Sequence, residues 1–309
     1  MMDRLEELRI FVAVSECGSF VGAARHLSVS PPAVTRGVAA LEARLGVPLL
    51  TRTTRAVRLT DKGEQFVASA RRLLQEHALA EQEITGAADL PTGVLTLSAS
   101  VTFGRYMLAP VISEFLEVYR DVDVSLLLVE RLVDLVEEGI DVTIRIGQLA
   151  DSSLMARRVG AVQRMLVASP DYLARRGTPD TPADLAVHDV IAFTGLLQNR
   201  AWRYRDGQRD RKIELAPRLE VNDAAMAITA ATAGQGITGV YCYMVHKALA
   251  AGELVPVLTD FAPEPAPVHM LRPPGRFVSP RVRAFMDFAV PRLAERLETI
   301  GAEVEAQSS

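Results

Sequence analysis

The sequence predicts an α/β chain that opens with a winged helix-turn-helix, continues through a linker helix and ends in a two-lobed α/β domain. Three observations carry that expectation. Residues 1–45 place apolar positions at helical spacing, broken by two tight turns. Six arginines against one acid, Glu42, fall between Arg25 and Arg58, in a chain whose net charge is −4. From residue 94 onward, short apolar runs alternate with helical patterns, as in a parallel sheet with crossover helices.

Leu5, Leu8, Phe11 and Val12 place a first helix over about residues 3–16. Gly18 stops it, and Ser19 is an N-cap for a short second helix that turns Phe20, Ala24 and Leu27 inward. After "SVS", Ser30 caps a third helix with Pro31 at its first position, where the missing N–H of proline costs nothing. Val34, Val38, Leu41 and Leu45 form a buried stripe along it. The opposite stripe, Pro32, Arg36, Ala39 and Ala43, is small and carries one cation, a surface that can press into a major groove. Gly46 ends the helix. "VPLLTRTTRAVRLT" reads as two strands around a turn at Thr53 and Thr54, with Arg52, Arg55 and Arg58 placed for phosphates or the minor groove. Residues 1–72 hold eleven Lys/Arg against seven Asp/Glu, a balance of +4, so the remainder carries −8. A polyanion is therefore expected at one end only.

The stretch "SFVGAARHLSVSPPAVTRGVAALEARLGVPLLTRTTRAVRLTDKG" resembles the DNA-binding domain of LysR-type transcriptional regulators. Helix, wing and resemblance together assign Ser30, Pro31, Pro32, Thr35, Arg36, Arg52, Thr54, Arg55 and Arg58 to a double-stranded DNA operator. Pro31 stands where many members carry glutamine, and Thr35 where they carry serine. Proline offers a base only apolar contact, for example with a thymine methyl.

Thr60 caps a helix over residues 61–85. Phe66, Ala70, Leu73, His77, Ala80 and Ile84 lie on one narrow stripe of it, spaced like a coiled-coil seam. Packing against a second copy is expected, with packing on its own domain as the alternative. The resemblance implies the dimer role, in a homodimer or homotetramer. "GAADLPTG" (86–93) is then a hinge. The expected domains are residues 1–60, 61–90 and 91–309, the last split into lobes over about 94–168 plus 267–300, and 169–266.

In the acidic remainder, "VLTLSAS" is a strand ahead of a helical pattern over about 104–119. "VDVSLLLVE" is a strand, "RLVDLVEEG" a helix and "DVTIRIG" a strand. A second block is expected from about Ser169: "PDYLARRG" as a helix, "VIAFTG" and "RLEVND" as strands, then a helix to Ala233 and strands "GITGVY" and "LVPVL". "VHMLRPP" returns as a strand and "SPRVRAFMDFAVPRLAERLE" is a terminal helix. This remainder resembles the effector domain of the same regulators, itself similar to periplasmic binding proteins. Tyr241 stands where the family often has proline after its "GxGI" turn. Small ligands are expected at the carboxyl ends of the strands. Ser100, Val101 and Thr102 precede or begin a helix, a place suited to an anion. The resemblance puts an effector's carboxylate there, and Gly147, Thr194 and Asn222 at other strand ends border the same cleft.

The function expected is regulation of transcription in the cytoplasm in response to a small, carboxylate-bearing effector. The rival is an enzyme or solute-binding protein using the C-terminal lobes. No catalytic motif, cofactor or metal site is legible, and the five histidines are scattered without metal-ligand spacing. Cys17 and Cys242 give no disulfide framework. The opening "MMDRLEELRI" does not read as a signal peptide, and no apolar run is long enough to span a membrane. "GQGITG" matches a dinucleotide-binding pattern by letter, but a helix precedes it and a strand follows. It is expected to be a helix end and a tight turn.

Overall fold

The computed structural model describes residues 3–52, 57–85, 90–149, 154–196, 200–275 and 278–308, with the backbone alone at 52, 75, 76, 79, 80, 82–85 and 308. Thr54 and Arg55 of the wing turn, and the side chains of Arg52, Ala80 and Ile84, lie outside the described residues. The chain divides into two compact units. One is built on Met1–Pro91 and the other on Thr92–Leu132, Val142–Pro274 and Arg281–Ser309.

The first unit contains α1 (Arg4–Cys17), α2 (Phe20–His26), α3 (Pro31–Leu45), the strands β1 (Leu50–Arg52) and β2 (Val57–Leu59), and α4 (Asp61–Thr85). Ser19 caps α2 by accepting the Gly22 N–H at 2.9 Å. Ser30 has the backbone conformation of an N-cap but makes no side-chain cap bond, so the fixed φ of Pro31 is what starts α3. Phe11, Val14, Val34, Val38 and Leu41 are fully buried where α1 meets α3. Each such side chain is worth about 1.5–3 kcal/mol relative to exposure. Two acids then fix the frame. Glu7, itself buried, takes a forked pair of bonds from Arg44 at 3.1 and 2.8 Å. Glu42 accepts the N–H groups of Leu49 and Leu50 at 2.7 and 3.0 Å, which ties the end of α3 to the base of the wing. β1 and β2 pair antiparallel with Leu50 opposite Leu59 and Thr51 opposite Arg58.

Thr60 caps α4 as expected, accepting the Gly63 N–H at 3.0 Å. The seam proposed for that helix divides. Phe66 packs on Phe11 with ring centroids 5.8 Å apart, and Ala70 is fully buried in the same N-terminal core. Those two positions serve their own domain, because the first turns of α4 lie against α1. Leu73 is 46% exposed, and His77 is half-buried beside Glu81 at 3.5 Å.

The second unit holds two five-stranded sheets. In the first, β3 (Gly93–Ala99), β4 (Val122–Leu128), β5 (Val142–Ile146), β6 (Met155–Val162) and β14 (Ala266–Arg272) run in the order β4-β3-β5-β14-β6. In the second, β7 (Arg164–Ala168), β8 (Val190–Phe193), β11 (Pro217–Val221), β12 (Ile237–Tyr241) and β13 (Val255–Val257) run in the order β11-β8-β12-β7-β13. Helices α5 (Val101–Phe103), α6 (Ala109–Val118), α7 (Pro170–Arg176), α8 (Ala224–Thr232), α9 (Cys242–Ala250) and α10 (Pro280–Ser308) accompany them.

Several expectations are corrected. Neither sheet is purely parallel. β3 is parallel to β4 and β5, but β14 is antiparallel to β5 and β6, and β7 is antiparallel to β12 and β13. The chain leaves the first sheet by β6 and returns to it by β14, and it enters the second by β7 and leaves by β13, so the strands of each such pair run in opposite directions. β7 therefore belongs to the second lobe, whose boundary lies at Gln163 rather than Ser169. "RLVDLVEEG" forms one hydrogen-bonded turn instead of a helix. Asp134 caps the turn by accepting the N–H groups of Val136 and Glu137, but Gly139, with a φ of +66°, closes it at once and Ile140 N–H reaches back to the Leu135 carbonyl, so the chain leaves the helix after one turn. The helix expected from residue 104 begins at Val101 and passes through a π-turn over Gly104–Leu108 into α6. A hairpin not foreseen, β9 (Ala201–Asp206) and β10 (Arg209–Glu214), turns at Gly207 with a φ of +60°. "GQGITG" is the expected helix end and turn. Gly236 has a φ of +153°, and a Cβ there would lie 2.3 Å from the carbonyl oxygen of Asp189.

Candidate functional site

The exposed face of α3 is the first candidate. Pro32, Arg36, Ala39 and Ala43 are exposed, while Val34, Gly37, Val38 and Leu41 face the core. The i, i+4 spacing of the buried stripe fixes which side remains free. Thr35 bends its hydroxyl back to the Pro31 carbonyl at 3.2 Å, leaving lone pairs on that oxygen for a further donor. Ser30 and Pro31 are exposed at the helix start. Arg58 is exposed on β2, directly across from Thr51. Of the six arginines in this region, Arg44 is committed to Glu7 and is structural.

The second candidate is built from strand ends. β3, β4 and β5 are parallel, so their carboxyl ends share one edge of the first sheet, which brings Ser100, Glu130 and Gly147 to that edge. β8, β11 and β12 do the same in the second sheet for Thr194, Asn222 and the Tyr241–Tyr243 segment. Thr194 N–H donates to the Val221 carbonyl at 2.9 Å, which sets Thr194 beside Asn222; both are exposed. The two edges meet where the Thr102 hydroxyl lies 3.3 Å from the Tyr243 hydroxyl.

Thr102 is buried, while Ser100 and Val101 are half-buried. Burial pushes the Tyr243 phenol well above the usual tyrosine range, only partly offset by hydrogen bonds with Thr102 and Ser100. Tyr243 therefore stays protonated and can donate. Tyr241 stacks on Tyr243 with centroids 5.9 Å apart and receives a hydrogen bond from Arg164 at 3.3 Å. The free amide of Val101 is not empty: it donates to the Glu130 carboxylate at 3.0 Å.

Two participants were missed from sequence. Glu130 follows β4 just as Ser100 follows β3, so the strand-end rule that selected Ser100 also points to Glu130 once β4 is known to lie beside β3. Tyr243 carried no local signal, because its partner Thr102 is 141 residues away. Gly147 donates its N–H to the Pro267 carbonyl. Among the described residues, no hydrogen bond links Gly147, Thr194 or Asn222 to Ser100 or Thr102. Among them, too, no group of His, Cys, Asp and Glu has the arrangement of a metal site, and no helix is long and apolar enough to cross a membrane.

Comparison with known proteins joins the two candidates. Residues 5–64 match the model for the bacterial regulatory helix-turn-helix protein of the lysR family, and residues 88–294 match the LysR substrate binding domain. The chain is 35% identical over 298 residues to the HTH-type transcriptional regulator CrgA of Neisseria meningitidis, covering 96% of this chain and 99% of that protein. It is 33% identical over 270 residues to the HTH-type transcriptional activator AaeR of Escherichia coli, covering 87% of each. Among solved structures, CrgA aligns with a TM-score of 0.61 at 34% identity, over 95% of this chain and 99% of that one. The full-length Vibrio cholerae virulence activator AphB aligns with a TM-score of 0.60 at 29% identity, over 94% and 99%. The chain belongs to the LysR family of transcriptional regulators, with an N-terminal helix-turn-helix and a two-lobed α/β effector-binding domain.

Proposed function

We propose that the protein acts in the cytoplasm as a dimer or tetramer, reads a two-fold-related double-stranded operator through α3 and the wing, and answers a small carboxylate-bearing effector. The observation that carries the DNA reading is the sidedness of α3, with Arg36 exposed directly opposite the buried Val34–Val38–Leu41 stripe. Arg36 is the base reader, and Pro31 and Pro32 supply apolar contacts at the helix start. Ser30, whose hydroxyl makes no cap bond, and Thr35 serve nearby phosphate or base edges. Arg52, Thr54, Arg55 and Arg58 of the wing hold the backbone, where cations position but do not specify. Leu73 and His77, on the face of α4 turned away from its own core, together with Ala80 and Ile84, provide the contact with a second copy.

The Glu130–Val101 bond supports the effector's chemistry. A carboxylate already occupies that helix start, and it sits on an exposed side chain. An incoming carboxylate can displace Glu130, take the Val101 N–H and add hydroxyl donors from Ser100, Thr102 and Tyr243. Gly147, Thr194 and Asn222 border the bound molecule. The test is a titration of the protein's own upstream DNA at fixed salt. Arg36→Ala should lose about 1–3 kcal/mol of specific binding while random DNA is held as before. Unchanged operator preference would remove α3 as the reading element.

A further inference from the structure

A cavity of about 980 Å³ lies away from Ser100 and Thr102, and the two passages between the lobes form part of its wall. One passage is Gln163, between β6 and β7; the other is the stretch 262–265 leading into β14. The Gln163 side chain ties them together, donating to the carbonyls of Arg164 and Pro263 at 2.9 and 2.8 Å. The floor is apolar, with Met165, Leu166 and Trp202, all of them buried. Leu297 and Gly301 of α10 close one side. A Cβ on Gly301 would meet nothing within 4 Å, so the helix leaves room there instead of filling it.

Volume and lining suit a small molecule, since ligand pockets fall in the range of about 300–1,000 Å³ and are mostly apolar with a few polar groups. Arg205 supplies one such group. Its outer nitrogen is paired with Glu264, but its Nε is buried with no hydrogen-bond partner among the described residues. The side chain as a whole is 35% exposed, so its remaining outer N–H groups can meet a ligand that brings an acceptor. Charge at the wall argues against an anion, because Arg158 and Arg205 are outnumbered by Glu264, Glu298 and Glu305.

We propose that this hinge cavity is a second small-molecule site, separate from the effector cleft, which takes a neutral, largely apolar compound bearing one carbonyl acceptor directed at Arg205. Because both passages line it, an occupant holds their spacing and so favours one angle between the lobes.

Trp202 is the only tryptophan in the chain and lines the cavity, which provides a direct readout. The full-length protein would be titrated with 6-propionyl-2-(dimethylamino)naphthalene, a neutral naphthyl ketone that absorbs where tryptophan emits. Saturable energy transfer from Trp202 is expected. Gly301→Phe, which fills the open space, should abolish it with an unchanged thermal transition. Arg205→Leu, on a surface-reaching ion pair, should weaken it about tenfold by removing the donor. Thr102→Val, in the other cleft, should leave the titration curve where it was. The corresponding naphthoate should bind more weakly. The assignment is overturned by absence of saturable transfer, by wild-type titration of both Gly301→Phe and Arg205→Leu, or by tighter binding of the naphthoate.

Discussion

Glu42 offers a sharp test of how α3 and the wing are joined. One carboxylate oxygen accepts two backbone N–H groups, from Leu49 and Leu50, both residues of the buried core. Glu42→Ala leaves both donors without an acceptor at the root of β1. Hydrogen bonds to an ionised group contribute about 1.5–3 kcal/mol each, and partial exposure of Glu42 to water reduces that, so the pair should be worth about 2–4 kcal/mol. A domain is stable by only about 5–15 kcal/mol, so the loss is large. Glu42→Gln keeps one oxygen acceptor without the charge and should recover about half of it. Amide hydrogen exchange on the full-length protein reads this locally, which avoids assigning one unfolding free energy to a chain of two units. The Leu49 and Leu50 amides should exchange about 30-fold faster or more in the alanine variant, the equivalent of 2 kcal/mol, with the glutamine variant between. Operator affinity should fall in the same order, because Arg58 and Arg52 are carried by the strands that Glu42 anchors. Wild-type exchange at both amides in Glu42→Ala would refute the anchoring role.

Leu73→Asp puts a charge on the exposed part of α4, and sedimentation should show a shift toward monomer with loss of binding to paired half-sites; a variant as oligomeric as the parent would locate the contact elsewhere. Thr102→Val should weaken an identified carboxylate effector by about 1–2 kcal/mol in calorimetry, and Glu130→Gln should strengthen it by removing the competing charge. The opposite sign for Glu130→Gln would mean that Glu130 assists the ligand. His188 gives a pH dependence. Burial lowers its pKa from the ordinary 6.5, with Arg176 acting in the same direction. Its Nδ1 lies 3.0 Å from the Tyr172 hydroxyl, which also accepts the Asp189 N–H. Below pH 6.5 the unfolded chain binds more protons than the folded one, so this contribution is complete above 6.5 and is lost as pH falls toward the folded value. His188→Phe should flatten the melting temperature between pH 7 and about 5 relative to wild type. A parallel fall in both proteins would assign the effect to other groups.

The first unit was legible in the sequence because its determinants are local. Ser19, Pro31 and Thr60 mark helix starts within a few residues of the bonds or angles they fix, and the Val34–Val38–Leu41 stripe decides which face of α3 is free for Arg36. The hairpin around Gly207 is also encoded locally, in a two-residue turn with glycine first (Gly207–Gln208) between alternating strands. What the chain alone did not determine depends on partners remote in sequence. The seam of α4 has one spacing throughout, yet Phe66 and Ala70 go to the core of their own domain while Leu73 does not; only the position of α1 decides that. "RLVDLVEEG" has a helical pattern and Asp134 caps its start, but Gly139 in the left-handed region ends it after a single turn. Glu130 comes to the Val101 amide because β4 pairs with β3, and Tyr243 comes to Thr102 because the two lobes face each other. Periodicity records which side of an element is apolar. Which element that side meets is settled by long-range packing, and the proposed ligand site, assembled from strand ends of two sheets, can form only after that packing is complete.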